Sequence, residues 1–252
     1  WLRQLLRLNK AGQSLGRTTN RELTEKNMNS VINSLLLQAN KKSDQKWGGQ
    51  ITLSKMLTVL MISTFLIACS DDDKVAKVAY EVEIVNLTHN QPFSPLALRA
   101  HGSDYTAWGI GESASLGIEY IAESGDNTEF LGTASSKKSA TGTGIIGPGE
   151  TAVIDLASKE TDQYLTAVTM LVNTNDAFSG ITGLNLNDLN IGDKKEVYLS
   201  VYDAGTEAND ELAGTIPGPA DGGTGFDVER NDVGYVAMHP GVVGIDDGYD
   251  DS

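Results

Sequence analysis

The sequence predicts an all-β protein, an antiparallel β-sandwich of about eight strands with one short helix. Apolar and polar residues alternate from Val78 to Ile84, which is the two-residue period of a strand with one buried face. Similar short apolar runs recur along the chain. They are separated by stretches rich in Gly, Asn, Asp and Pro, such as residues 139–149 and 214–225. Short strands joined by turn-rich loops are typical of a sandwich.

Five strands and one helix can be placed along the chain. Tyr164 to Val172 is apolar on both faces, which predicts a central strand. The helix is predicted over residues 114–124, with Ser113 as its N-cap and Gly125 as its stop. The predicted strands occupy residues 78–84, 151–157, 164–172, 196–202 and 232–238.

Charge is unevenly distributed along the 252 residues, whose net charge is −15 from 19 Lys and Arg against 34 Asp and Glu. Residues 1–55 hold ten basic and three acidic side chains, so the remaining 197 residues hold nine and 31. This acidity argues against nucleic-acid binding, which needs a cluster of Lys and Arg. The single cysteine excludes a disulfide framework and zinc sites built from paired cysteines. Divalent cations are the more natural partner.

An uncharged segment, residues 56–68, leads directly to Cys69. Its 13 residues fall short of the roughly 20 that a spanning helix needs, but they match the apolar region of a signal peptide. A buried core helix is the alternative. The run Leu66-Ile67-Ala68-Cys69 resembles the bacterial lipoprotein box, which implies that Cys69 is lipidated and becomes a new N-terminus. Ser70 in the next position resembles outer-membrane cargo, so we expect Cys69 to anchor an exported protein in the outer membrane.

These signals divide the chain into five segments. The sequence begins at Trp1, and Met28 or Met56 could each be the start, so we expect residues 1–27 to be an upstream extension of the gene model and leave them out of the fold. A genuine helix is the alternative for that segment. Residues 28–68 are then the signal peptide, 69–77 the lipidated tether, 78–245 the β-sandwich domain and 246–252 an acidic tail.

Oxygen-bearing side chains are concentrated in two loops that follow predicted strands. One loop is Asn173 to Asp176, and the other runs from Asp203 to Glu211. Calcium takes six to eight oxygen ligands, and loops at one end of a sandwich can supply them. Acidic loops in an acidic domain are usually only solvated, so the spacing leaves both interpretations open.

The run Asp-Ala-Gly-Thr-Glu at residues 203–207, with the segment from Met170 to Gly180 upstream, resembles the bacterial branch of the spondin N-terminal domain family. The 203–207 run is the most specific part of this resemblance. The resemblance extends from about Tyr80 to Gly241, which is most of the proposed domain. The matching segments are Asn86-Leu-Thr, Phe93-Ser-Pro95, Ala114-Ser115, Ala122-Glu123-x-Gly125, Met170 to Gly180, Tyr202 to Glu211 and Ile216-Pro-Gly-Pro219.

The resemblance implies an eight-stranded sandwich, similar to C2 domains, that binds one calcium ion. Animal members are secreted matrix proteins that act in adhesion and in recognition of microbial surfaces. By motif, the two loop ligands fall on Asp176 and Asp203, and the strand ligand falls on Asp155. Asn175 and Glu207 are implied as supporting residues, with Glu207 standing where animal members carry Asp.

The chain departs from the family pattern after His239-Pro240-Gly241. The family continues there into a final strand with an Asn-Pro pair, whereas this sequence continues with the acidic tail. We therefore expect the last strand to be missing and a strand edge to be left unpaired.

The expected function is that of a lipid-anchored, calcium-binding and non-catalytic domain of the cell envelope, which serves adhesion or surface recognition of a protein or glycan.

 
The first alternative is an envelope metal-assisted hydrolase. A catalytic metal needs an open coordination position beside a general base, and no such base stands out. The second alternative is a structural lipoprotein whose sandwich folds without metal.

Overall fold

The structure is a computed structural model, which describes residues 4–14, 77–132, 138–159, 161–209, 214–219 and 221–241. The predicted signal peptide, the predicted lipidation site Cys69, all of the predicted tether except Lys77, and the predicted acidic tail lie outside these ranges. Residues 1–14 and 77–252 form one compact unit and residues 15–76 a second. All the described residues belong to the first unit.

Nine strands and two short helices occupy the described part of the chain. The helices are α1 (Leu116–Ser124) and α2 (Thr128–Gly132). The strands are β1 (Gln4–Ser14), β2 (Lys77–Asn86), β3 (Ala97–His101), β4 (Ser139–Thr141), β5 (Thr151–Lys159), β6 (Tyr164–Met170), β7 (Ala177–Asn185), β8 (Lys194–Asp203) and β9 (Ala237–Met238). Neither of these helices has the length and apolar character needed to span a membrane.

The strands pair in the order β4-β3-β6-β7-β8-β1-β2-β5, and β9 adds to β8. Every pairing is antiparallel. The sheet folds over on itself, so that strands from both halves share one apolar core. This confirms the predicted all-β, antiparallel sandwich class.

Two apolar clusters cover opposite faces of β6, which explains why this strand is apolar on both sides. Leu165 and Ala167 point into the main core between the sheet halves. Val168 and Met170 point to a second cluster beneath α1. The prediction of a central strand is confirmed, since β6 lies between β3 and β7.

The helix predicted over residues 114–124 is present as α1, but it begins later than expected. Ser115 holds the N-cap position. Ser113 instead donates its hydroxyl to the carbonyl oxygen of Gly234, over 2.8 Å. Gly125 ends the helix as predicted, with a left-handed φ of 69° and its N–H bonded to the carbonyl of Ile121.

Residues 4–14 form a central strand, although the sequence analysis left residues 1–27 out of the fold. Strand β1 pairs with β2 along its whole length and with β8 over residues 4–9. Leu6 and Leu8 point into the main core. Apolar side chains on a strand with two paired edges belong to a sheet interior, so β1 is part of the fold.

The last strand that the family pattern leads us to expect would follow residue 241, outside the described residues. Strand β8 pairs with β1 over residues 194–199 and with β7 over residues 200–203. The strand predicted over residues 232–238 is wrong for most of its length, since only Ala237 and Met238 are paired. Those two residues extend the end of β8, close to Asp203.

Candidate metal site

Two buried acids meet at one end of the β7–β8 hairpin. Asp176 directly precedes β7, and Asp203 is the last residue of β8. Ala177 lies opposite Asp203 in the strand register, which places the two acids side by side. Asp176 is fully buried, and Asp203 is 4% exposed. The two loop residues implied by the family resemblance are therefore brought together.

The turn after β8 wraps around the carboxylate of Asp176. Oδ2 of Asp176 accepts hydrogen bonds from the N–H groups of Thr206, at 2.7 Å, and Glu207, at 3.1 Å. Gly205 makes this turn with a φ of 69°, a conformation that favours glycine. A Cβ at Gly205 would lie 2.3 Å from the carbonyl oxygen of Tyr235, so no larger residue fits. The Asp-Ala-Gly-Thr-Glu run is therefore one turn, in which Gly205 makes the bend and Thr206 and Glu207 bind the Asp176 carboxylate.

The second oxygen of Asp176, Oδ1, is buried and has no hydrogen-bond partner among the described residues. Burial, together with the neighbouring charge of Asp203, raises the pKa of Asp176 to about 7. A buried carboxylate without a countercharge is unfavourable, so this oxygen has the properties of a ligand position.

The carboxylate of Asp203 is held by its own loop. Oδ1 of Asp203 accepts from the N–H of Gly205 at 2.7 Å, and Oδ2 accepts from Nδ2 of Asn209 at 2.5 Å. His239 is close enough for the Asp203 charge to raise its pKa, but burial, the larger effect, holds the pKa of His239 below its ordinary value. Within the described ranges, neither Asp176 nor Asp203 forms a salt bridge.

A third acid, Glu123 of α1, adjoins the same loop and was not predicted as a site residue. It is 1% exposed, and its Oε1 has no hydrogen-bond partner among the described residues. Oε2 of Glu123 accepts from the N–H of Asp227 at 2.9 Å. Burial raises the pKa of Glu123, while the side chain of Thr206 acts to lower it. Since Thr206 also hydrogen-bonds Asp176, it links the two acids.

Glu123 differs from Glu119, the neighbouring acid of α1, in the partners of its carboxylate. Glu119, one turn earlier, is bound by Arg230, whose Nε lies 2.8 Å from Oε1 of Glu119. No such salt bridge to Glu123 is found in the part of the chain that the structure describes. The run Ala122-Glu123-x-Gly125 was recognised in the sequence as part of an amphipathic helix. An acid on such a helix is usually solvated, so the sequence did not indicate that Glu123 faces the loops after the strands.

The two residues implied as supporting the site have different positions. Glu207 is partly buried, and its main chain donates to Asp176 as described above. Asn175 is buried, and its Nδ2 donates to the hydroxyl of Thr215 over 3.1 Å. Both therefore fix the loops around the two acids.

Asp155, implied as the strand ligand, is not placed with Asp176 and Asp203. It lies exposed on β5, because its neighbours Ile154 and Leu156 point into the core and the period of two turns Asp155 outward. Strand β5 is separated from β8 by β1 and β2 in the sheet order. Glu123 is the third acid that the structure offers instead.

The donor set fits a calcium ion better than a softer metal. No group of three or more His, Cys, Asp or Glu side chains that could hold a metal occurs among the described residues. The site instead combines two adjacent buried carboxylates with a nearby third. Asp176 and Glu123 each have an oxygen without a hydrogen-bond partner among the residues that the structure describes. Calcium binds carboxylate and carbonyl oxygens with flexible geometry. Asp176 and Asp203 would hold it, and Glu123 is linked to Asp176 through Thr206.

The comparison with protein families agrees with these motifs. The Spondin_N family profile matches residues 85–212, just over half of the chain. This range includes α1, the β7–β8 hairpin and all three buried acids. None of the curated proteins is significantly similar to the chain. On the strength of the family match, this chain belongs to the spondin N-terminal domain family.

Proposed function

We propose that this protein is a calcium-binding spondin domain that acts in adhesion or surface recognition at the cell envelope. The single observation that carries the calcium proposal is the Asp176 carboxylate. It is fully buried beside Asp203, and its Oδ1 has no hydrogen-bond partner among the described residues. A bound cation would supply the missing interaction and neutralise two adjacent acids.

The role of the metal in this proposal is structural. The acids lie between the hairpin end, the 203–207 turn and α1, so a cation there would fix these three parts of the chain relative to one another. Fixed loops at one end of a sandwich form a binding surface for a protein or a glycan. Binding, and not catalysis, is the activity that we propose.

The calcium proposal is tested by thermal unfolding of the full chain in chelator and in millimolar calcium. The full chain is needed because a fragment that begins near Cys69 would lack β1. We expect calcium to raise Tm, since a ligand at a hundredfold excess over Kd stabilises by about 2.7 kcal/mol. Asp203→Asn should remove the rise, because it removes one of the two adjacent carboxylates.

Asp155→Asn is the matched control, since it makes the same chemical change at an exposed acid of β5. It should keep the calcium response of the unmodified chain. A cooperative transition at the same temperature in both buffers would contradict calcium binding and favour a metal-free structural protein. Loss of the response in Asp155→Asn, with retention in Asp203→Asn, would reverse the ligand assignment.

The envelope location rests on the run Leu66-Ile67-Ala68-Cys69, which resembles a lipoprotein box. We propose that Cys69 carries the lipid that anchors the protein, in the outer membrane. In a bacterial host, a labelled fatty acid should be incorporated into the chain, and Cys69→Ser should abolish the label. Equal labelling of both chains would contradict lipidation at Cys69.

A further inference from the structure

Strand β1 fills a gap in the middle of the sheet, between β2 and β8. Its two neighbours are each supplied by distant parts of the sequence. Residues 15–76 separate β1 from β2, and β8 begins only at Lys194. No short hairpin connection therefore sets the register of β1, as it would in most antiparallel pairs.

The register of β1 is set instead by side chains that alternate between the core and the surface. Leu6 lies opposite Ile84 in β2, and Leu8 lies opposite Val82. Both leucines are 1% exposed and belong to the main core. The gap between β2 and β8 thus accepts an extended segment with apolar residues at two alternate positions.

Arg7, between the two leucines, adds a charge requirement on the outer face. Its Nη1 lies 2.7 Å from Oε1 of Glu83 in β2, and its Nε lies 2.8 Å from Oε1 of Glu196 in β8. The Arg7 guanidinium therefore forms salt bridges to the strands on both sides of the gap. The gap therefore recognises a strand that carries an apolar, a cationic and an apolar residue at three successive positions.

An empty gap would be unfavourable in two ways. The facing edges of β2 and β8 would both lose their backbone partners, and open edges accept strands from other chains. The core side chains Val82 and Ile84, which β1 covers, would lose their apolar contacts. Strand addition is an established mode of recognition for such an edge, with main-chain bonds for affinity and alternate side chains for specificity.

We propose that the β2–β8 gap is a strand-acceptor site, and that residues 4–14 of a second copy of this chain fill it by strand exchange. The same residues make the same bonds whichever copy supplies them, and exchange of an identical element is a low-cost route to a dimer. The chain thus carries both a donor strand and its acceptor.

Strand exchange gains a further role when the chain is cleaved before Cys69. This part of the inference rests on the proposed function. Cleavage before Cys69 would separate β1 from the rest of the domain, because β1 lies upstream of that bond. The cleaved domain would then depend on a donor strand from a second copy that has not been cleaved. The exchange itself does not require cleavage or calcium.

The first test uses the full chain with a protease site inserted between residues 14 and 77. The purified chain is cut, unfolded in denaturant, separated from the released N-terminal fragment, and refolded in chelator with an excess of a fluorescent peptide of residues 1–14. We expect the peptide to be incorporated, with a rise in fluorescence anisotropy and a cooperative thermal transition. Chelator is present throughout, so a failure of calcium binding cannot cause a failure here.

Peptide variants establish whether binding uses the proposed contacts. A peptide with Leu8→Asp should bind at least tenfold more weakly. Ala11→Asp, with the same new charge at an exposed position of β1, should bind like the unmodified peptide. Equal binding of the Leu8→Asp and unmodified peptides would overturn the acceptor site. So would cooperative refolding without peptide, or failure to refold with it.

The second test asks whether intact copies exchange strands. Two full chains with different affinity tags are unfolded, refolded together at high concentration and purified through both tags in turn. We expect mixed dimers, which should be lost when both chains carry Leu8→Asp and kept when both carry Ala11→Asp. Peptide binding without mixed dimers would overturn exchange between copies.

Discussion

Leu8→Asp should destabilise the full chain by about 4 kcal/mol or more. This places it among the most damaging single changes, which bury an unpaired charge or open a core cavity. Leu8 is 1% exposed and lies in the main core, in a strand with paired neighbours on both sides. The substitution both removes apolar contacts and brings a carboxylate into the core. Denaturant unfolding of the full chain measures the change.

Ala11→Asp is the matched control for this prediction. Ala11 is exposed at the register shift between Lys10 and Gly12, so the same charge remains in water there. We expect a change within about 0.5 kcal/mol. Equal stability of the two variants would contradict the placement of β1 in the sheet. It would also support the expectation that residues 1–27 take no part in the fold.

Asp176→Asn should stabilise the chain in the absence of calcium, although it removes a proposed ligand. The pKa of Asp176 is raised to about 7 from an ordinary 3.8. Between these pH values the folded chain holds a proton that the unfolded chain releases. The stability therefore falls as the pH rises from about 4 to about 7, and the full penalty persists above that range.

At pH 8 this penalty amounts to as much as about 4 kcal/mol, at about 1.4 kcal/mol for each pKa unit. The charges that act on this position include Asp203, which raises the pKa of Asp176 and is unaltered in the variant. Asparagine keeps an oxygen for the N–H groups of Thr206 and Glu207 but carries no charge. The gain in stability should be smaller at pH 5, where less of the penalty is present.

Calcium should reverse the order of the two chains. The ion binds the ionised carboxylate, so it should stabilise the unmodified chain at pH 8 and leave Asp176→Asn unchanged. Denaturant unfolding at pH 5 and pH 8, with calcium or chelator, gives all the values needed. A less stable Asp176→Asn chain in chelator at pH 8 would contradict the penalty, and a calcium response in that variant would contradict its role as a ligand.

Strands with a clear period of two could be predicted from the sequence, and strands rich in small residues could not. Strands β2, β5, β6 and β8 follow their predicted positions closely. Strand β7 was not predicted, because Ala, Gly, Ser and Thr give it little apolar periodicity. It is fixed by tertiary packing, in which Phe178 contacts the ring of Trp108 at 5.2 Å between centroids. A Cβ at Gly180 would lie 2.9 Å from the same ring.

Local periodicity and contiguous motifs were enough to predict the class of the fold, the family and the positions of the two loop acids. Which further acid adjoins Asp176 depends on tertiary packing. Glu123 faces the loops because α1 packs over β6 and β7, whereas the alternation of β5 turns Asp155 to solvent. Only the tertiary structure also placed β1 between β2 and β8, since long-range strand pairing depends on partners that a local pattern does not identify.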